Sequence, residues 1–213
     1  MSYRIFIYIL GIVTNFFGVA LVINAMVGAG FWQSLFIGLS DIFGLTVGFW
    51  NGATQLVLIF INSWLIRKSP EFLALIPLVL ESLALDFWLE IGFAQVNLVG
   101  APLVLRLLLM LLGIVFIGIG IALYLFPQLP RSPIIQVTIV ISHRFEISLR
   151  FAQTLIAIVV ATAALMIGGP VGIGTVALTM FSGVSIQYFY SSLYLTYRRF
   201  LPSQNKEIVT SRI

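Results

Sequence analysis

The chain has 213 residues, 61% of them hydrophobic and 8% charged, with a formal net charge of +4 and no cysteine. Soluble domains carry about a quarter charged residues, so a water-soluble enzyme and a disordered chain are both excluded, and the surface is one that lipid tails can wet. Without cysteine there is no disulfide or zinc–thiolate chemistry, and the basic residues sit at helix ends, without the stripe or tail of a nucleic-acid binder.

A spanning helix needs about 20 mostly apolar residues. The pattern predicts the first from about Ile5 to Val27. The opening MSYRIF has one basic residue and then a run that is long for a signal peptide, so it is read as a retained span; a signal peptide is the other reading. The second span is predicted from Val47 to Ile66, stopped by Arg67-Lys68, and the third from Glu71 to Ile91. The fourth runs from Pro102 to Phe126 and stops at PQLPRSP, and the fifth from Ile147 to Ile167, ending at Gly168-Gly169-Pro170. The sixth runs from Val171 to Tyr197, ahead of Arg198-Arg199. The short link between the fifth and sixth predicts a tight helical hairpin. The polar tail, 201–213, is predicted to be disordered.

Two apolar stretches are too short to span. In Gly30 to Phe43, Phe31, Trp32, Leu35, Phe36, Leu39, Ile42 and Phe43 recur at helical spacing, with Gln33, Ser34, Ser40 and Asp41 between them. In Ser132 to Ser142, Ser132 is placed to cap a helix and Pro133 suits its first turn. Each is read as a short half-helix, interfacial or re-entrant.

Six spans with a cytoplasmic N-terminus put Arg4, Arg67, Lys68, Arg131, Arg144, Arg150, Arg198, Arg199, Lys206 and Arg212 on the cytoplasmic side and only Arg106 on the other. That asymmetry predicts a multi-pass protein of the cytoplasmic membrane with both termini inside.

The halves resemble each other at a shift of about one hundred residues. Leu10-Gly11-Ile12-Val13 matches Leu112-Gly113-Ile114-Val115, and Gly18-Val19-Ala20-Leu21 matches Gly120-Ile121-Ala122-Leu123. Each half reads long helix, short segment, long helix, long helix. The expected fold is all-α transmembrane: one membrane domain over 1–213, with repeat 1 at about 1–100 and repeat 2 at about 101–200. Three spans per repeat invert the second copy, a common plan of secondary transporters with a site between the repeats.

GGPVGIGT at Gly168 to Thr175, followed by Gly183 and Gln187, resembles the last hairpin of the bacterial YczE/YyaS/YitT-type membrane proteins, and AMVGAGFWQSLFIGLS at Ala25 to Ser40 resembles their segment after the first span. The resemblance covers nearly the whole chain and implies this fold and a membrane location. The family pattern commonly has a proline and then an acidic residue in each short segment. Here the first copy has Phe31 and Gln33, and the second keeps Pro133 but has Ile135.

Ionisable groups within a span need a partner, a cavity or a function. Glu81 falls near the centre of the third span, Asp86 a turn and a half further on, and Glu90 a turn beyond on the same face. Aligning Ser82 with Gly183 sets Asp86 opposite Gln187. Glu81, Asp86, Gln187, Gln33 and Arg150 are the candidate substrate- or ion-binding residues. The two carboxyls read either as a proton or cation relay or as static groups hydrogen-bonded to a neighbouring helix. Arg150 and Arg106 read as partners of a carboxylate or as side chains snorkelling to the interface. Gln55 and Gln153 read as interhelical hydrogen-bonding groups. Gly48 and Gly52, and Gly168 and Gly172, read as close helix contacts. His143 stands alone, so no metal site is expected, and no cofactor or enzyme motif appears. Three functions compete: a small-solute transporter or exporter with a small-molecule or ion substrate, a non-transporting accessory or scaffold subunit, and a lipid-handling protein. Small-residue faces also suggest a homodimer.

Overall fold

The computed structural model describes the backbone of residues 2–96, 98 and 100–199; the polar tail from Leu201 lies outside them. Regular structure among the described residues is all helical. α1 is Ser2–Asn24, α2 Phe31–Phe43, α3 Val47–Ile66 and α4 Leu75–Asp86, the last entered by a 3-10 turn and continued by a π-helical turn, Phe87–Gly92. α5 is Leu103–Leu125, α6 Pro133–Phe145, α7 Leu149–Met166 and α8 Ile173–Arg199. Five segments are long and apolar enough to cross a bilayer: Tyr3–Asn24, Val47–Ile66, Phe72–Gly92, Leu103–Leu125 and Leu149–Met166. At 1.5 Å per residue these reach roughly 27–35 Å, about the hydrocarbon thickness. α8 is longer, with 27 residues, but Thr175, Thr179, Ser182, Ser185 and Gln187 dilute its apolar character. The chain is a membrane protein with several apolar helices.

The most extensive helix pair is α1 against α5, antiparallel. Glycine sets their distance. A Cβ on Gly18 would lie 2.6 Å from the carbonyl oxygen of Gly113, and one on Gly113 would lie 2.7 Å from the carbonyl oxygen of Gly18. Gly11 meets Tyr124, and Gly120 meets the backbone of Asn15, in the same way. Small residues here let the two backbones touch. Arginines close both ends of the pair. Arg106 Nε donates to the carbonyl of Ala25 at 2.8 Å and its guanidinium also reaches the carbonyl of Met26, beyond the last turn of α1. Arg4 donates to the carbonyl of Pro127, beyond the last turn of α5. Each helix thus supplies a cation to the end of the other, where carbonyls are left without intrahelical partners. This contact gives Arg106, expected on the side opposite the other basic residues, a structural task.

α4 packs on α3, with Gly52 of α3 against the hydroxyl of Ser82. Trp88 in the π-helical turn ties that span to α1, donating from Nε1 to the carbonyl of Val13 at 3.0 Å and stacking edge-on with Phe17 at 4.8 Å. α7 packs on α2 and α6, whereas α8 lies along α5 and makes at most marginal contact with α7. The predicted α7–α8 hairpin is therefore corrected. The corner between them is held by the segment after α1: Ala29 N–H donates to Pro170 at 3.1 Å, and Gly174 N–H donates to Val27 at 2.8 Å. That wedge sends α8 away from α7. Gly168 ends α7 in a left-handed conformation, φ 77°, and Gly172 precedes α8, so they are not a helix-packing pair.

Candidate functional site

α3 places its polar residues on one buried face. Asn51, Gln55 and Asn62 are among its buried residues, with Leu58 and Ile59. Asn51 and Gln55 are one turn apart, and Gln55 Nε2 donates to Asn51 Oδ1 at 3.1 Å. α4 presents Glu81, 6% exposed, to the fully buried Gln55. Gln55 Nε2 donates to Glu81 Oε2 at 2.9 Å. The third member arrives from the other half of the chain. Ser132, just before α6, has its hydroxyl 3.0 Å from Gln55 Oε1 and 3.0 Å from Glu81 Oε2. α6 therefore begins near the middle of α3 and α4, although it ends beside Arg67 at the last turn of α3. Ser132 occupies the N-cap position, but its side chain does not cap the helix. The ring takes its hydroxyl instead.

Two tyrosines close the wall behind it. Tyr124 OH accepts from the backbone N–H of Ser132 at 2.5 Å, and Tyr8 OH donates to the carbonyl of Pro130 at 2.8 Å. The two rings lie 5.0 Å apart. Five elements thus converge: α1, α3, α4, α5 and the lead-in to α6. Further along α3, Asn62 Nδ2 donates to the carbonyl of Pro133 at 3.1 Å, while its buried Oδ1 has no partner among the described residues.

The donor count decides what the ring can do. A serine hydroxyl has one proton, a glutamine carbonyl can only accept, and an ionised carboxylate can only accept. With Glu81 ionised, Ser132 satisfies either the carboxylate or Gln55 Oε1, not both. With a proton on Glu81 Oε2, the carboxyl donates to Ser132, Ser132 donates to Gln55 Oε1, and Gln55 donates back to Glu81. All three pairs are then satisfied in one direction around the ring. No ion pair forms among the described residues, so no cation joins Glu81 there. The two states differ by one proton and a rotation of one hydroxyl.

The other sequence-predicted residues fall elsewhere. Asp86 is half-buried and anchors the start of α3: Oδ2 accepts from Thr46 Oγ1 at 2.6 Å and Oδ1 from Gly48 N–H at 2.7 Å. Thr46 itself is the N-cap and accepts from Phe49 N–H at 3.1 Å. Gln187 is exposed on α8, which makes at most marginal contact with α4, and the Asp86 carboxyl is taken by Thr46 and Gly48 instead. Glu90, in the π-helical turn, is exposed. Gln33 is half-buried, its side-chain oxygen folded back against Gly30. Arg150 is exposed at the start of α7. Sequence reasoning had not connected Tyr8, Tyr124 or Ser132 with Glu81. Tyrosines inside apolar spans and a Ser-Pro step after a proline-rich turn were the available signals.

A sequence profile described as a family of unknown function, DUF6198, matches residues 2–191. The chain is 31% identical to the uncharacterised protein YyaS of Bacillus subtilis (strain 168), over 85% of this chain and 90% of that one. It is 27% identical to the uncharacterised membrane protein YczE of the same strain, over 85% of this chain and 82% of that one. An uncharacterised protein of Haemophilus influenzae is 33% identical over 39% of this chain and 38% of its own length. No solved structure matches the chain.

Proposed function

The chain belongs to the DUF6198 family, and on that premise we propose that it is a small-solute transporter or exporter of the cytoplasmic membrane, built from two inverted three-span repeats, with Glu81 as its proton site. The observation that carries the reading is the meeting of a mid-span carboxyl, from one half, with the start of a short helix from the other half. Intramembrane carboxyls and half-helix N-termini are recurrent parts of transporter sites between repeats.

The duplication is supported by pairs of features 102 residues apart. α2 and α6 begin at Phe31 and Pro133, and α3 and α7 begin at Val47 and Leu149. Thr46 accepts from Phe49 N–H as Ser148 does from Phe151 N–H. Ser40 donates to the carbonyl of Leu45 as Ser142 does to that of Ile147. Met26 and Gln128 both have positive φ. In this reading α8 is the sixth span, both termini lie in the cytoplasm, and α6 is re-entrant because it starts beside mid-span residues.

The same correspondence sets the ring apart from the framework. The counterparts of Tyr8, Gln55, Tyr124 and Ser132 are Met110, Ala157, Val22 and Gly30, and Glu81 corresponds to Ser182 at the shift of 101 that holds after α7. In this reading the equivalent positions carry none of the ring's polar groups except the Ser182 hydroxyl, so the duplicated framework does not of itself call for them.

The test is purified protein in liposomes loaded with a pH-sensitive dye and exposed to candidate solutes. Solute-dependent proton movement that Glu81→Gln abolishes, in a variant that still folds, is the expected result. Solute movement unaffected by that change removes Glu81 from the mechanism. A second reading, a non-transporting scaffold, draws on the ring's being closed entirely by the protein's own side chains; it gains if no solute moves and Glu81→Gln changes nothing.

A further inference from the structure

We infer that the basic end of the bundle holds a site for the headgroup of an anionic phospholipid, between the last turn of α3 and the end of α6. A cavity of about 530 Å³ lies there, lined by Phe60, Trp64, Arg67, Lys68, Arg144 and Phe145 among others. A second, of about 290 Å³, adjoins it, shares Arg67 and Arg144, and adds His143. The layering matches one lipid. Arg67 and Lys68 follow the last residue of a spanning helix, so their charges sit at headgroup level. Trp64 and Phe60 lie one and two turns deeper on the same helix, 78% and 54% exposed. Rings at that depth suit acyl chains and the glycerol region.

Charge complementarity selects the occupant. Arg67, Lys68 and Arg144 are exposed, and no ion pair forms among the described residues. Glu71, the acidic residue next in sequence after Lys68, accepts instead from Gln136 Nε2 at 2.8 Å. Glu146 ends α6 in a left-handed conformation two residues after Arg144. Three cations line a concave site between helices from different halves of the chain, the kind of basic pocket that binds anionic headgroups. Isolated basic residues flanking spans would satisfy the charge bias without forming such a cavity.

Occupancy has a structural consequence. α6 has 13 residues, about 20 Å of helix. Its far end carries Ser132 of the Glu81 ring, so a lipid clamping Arg144 to Arg67 and Lys68 fixes α6 relative to α3. The lipid site itself stands whether or not Glu81 carries a proton.

The experiment uses the full-length protein, delipidated in mild detergent and titrated with phosphatidylglycerol or with phosphatidylcholine of the same chains, bound lipid being counted by native mass spectrometry. The wild type is expected to retain phosphatidylglycerol in preference, and glycerol phosphate without acyl chains is expected not to displace it. The triple variant R67Q/K68Q/R144Q should lose the preference by about fivefold for each charge removed, whereas R67K/R144K keeps it. Lipids brominated in the upper acyl chain should quench wild-type fluorescence more when their headgroup is phosphatidylglycerol, and Trp64→Phe should remove that difference. Equal retention of the two lipids by the wild type, displacement by glycerol phosphate, or a preference that survives in the triple variant would overturn the site.

Discussion

Glu81 and Ser132 lie 3.0 Å apart in a buried contact between residues 51 positions apart in the chain. The pair joins the middle of a spanning helix to the start of a short one, and Gln55 completes the ring from a third helix. Position and chemistry are coupled here: moving α6 opens the ring, and a proton on the ring decides which of its hydrogen bonds are filled.

The first prediction separates shape from charge at Glu81. Glu81→Gln can set its amide oxygen where Oε2 stands and accept from Gln55, although it cannot also donate to Ser132 from that atom, so thermal unfolding in detergent should fall only slightly. Glu81→Ala leaves Gln55 and Ser132 buried with fewer partners, at about 1–3 kcal/mol for each group left unpaired, and should unfold at a clearly lower temperature. Equal losses in the two variants would mean that the ring is not hydrogen-bonded as described.

Asp86 is predicted to be structural. Its carboxyl takes the hydroxyl of Thr46 and an N–H from the first turn of α3. Asp86→Ala should cost about 0.5–2 kcal/mol, the usual range for a lost helix cap, and Asp86→Asn less, because the amide oxygen still accepts from Gly48. Proton movement in liposomes should be the same in Asp86→Asn as in wild type. Its loss there would make Asp86 part of the proton path.

Glycine at the α1–α5 contact is predicted to tolerate no side chain. Gly120→Ala places a methyl against the backbone of Asn15, and such overpacking costs roughly 1–3 kcal/mol. Gly183, in α8, has nothing within 4 Å of a built Cβ, and Gly183→Ala should be neutral or stabilising by up to about 1 kcal/mol. Similar unfolding temperatures for the two variants would contradict the described contact.

Topology is open to direct labelling, since the chain has no cysteine of its own. A cysteine at Ser203 should react only with reagents that cross the membrane. One at Gln95, exposed between the third span and α5, should react with impermeant reagents in intact cells. The opposite pattern would reverse the orientation read from the basic residues.

Much of this architecture was legible because lipid imposes long apolar runs: Val47–Ile66 was predicted to the residue, and the other helix ends fell within a few. Gly11, Gly18, Gly113 and Gly120 all lie in the matches between the halves, but the close approach of α1 and α5 that they permit was not read from them. Long-range polar contacts were not legible. Asp86 binds residues about forty positions earlier, and no local pattern announces that. Ser132 looked like an ordinary cap because its use in the ring depends on how α6 docks. The short link after α7 suggested a hairpin, but Val27 and Ala29 occupy that corner and turn α8 towards α5.

The measurement that bears most directly on Glu81 as a proton site is infrared difference spectroscopy of the protein in lipid, titrated over a wide pH range. The phenols behind the ring, Tyr8 and Tyr124, have bands distinct from that of a protonated carboxylic acid. A carboxylic-acid carbonyl band that rises and falls with pH in wild type, disappears in Glu81→Gln and survives in Asp86→Asn is the predicted result. A spectrum unchanged by Glu81→Gln would contradict the assignment of a proton to this ring.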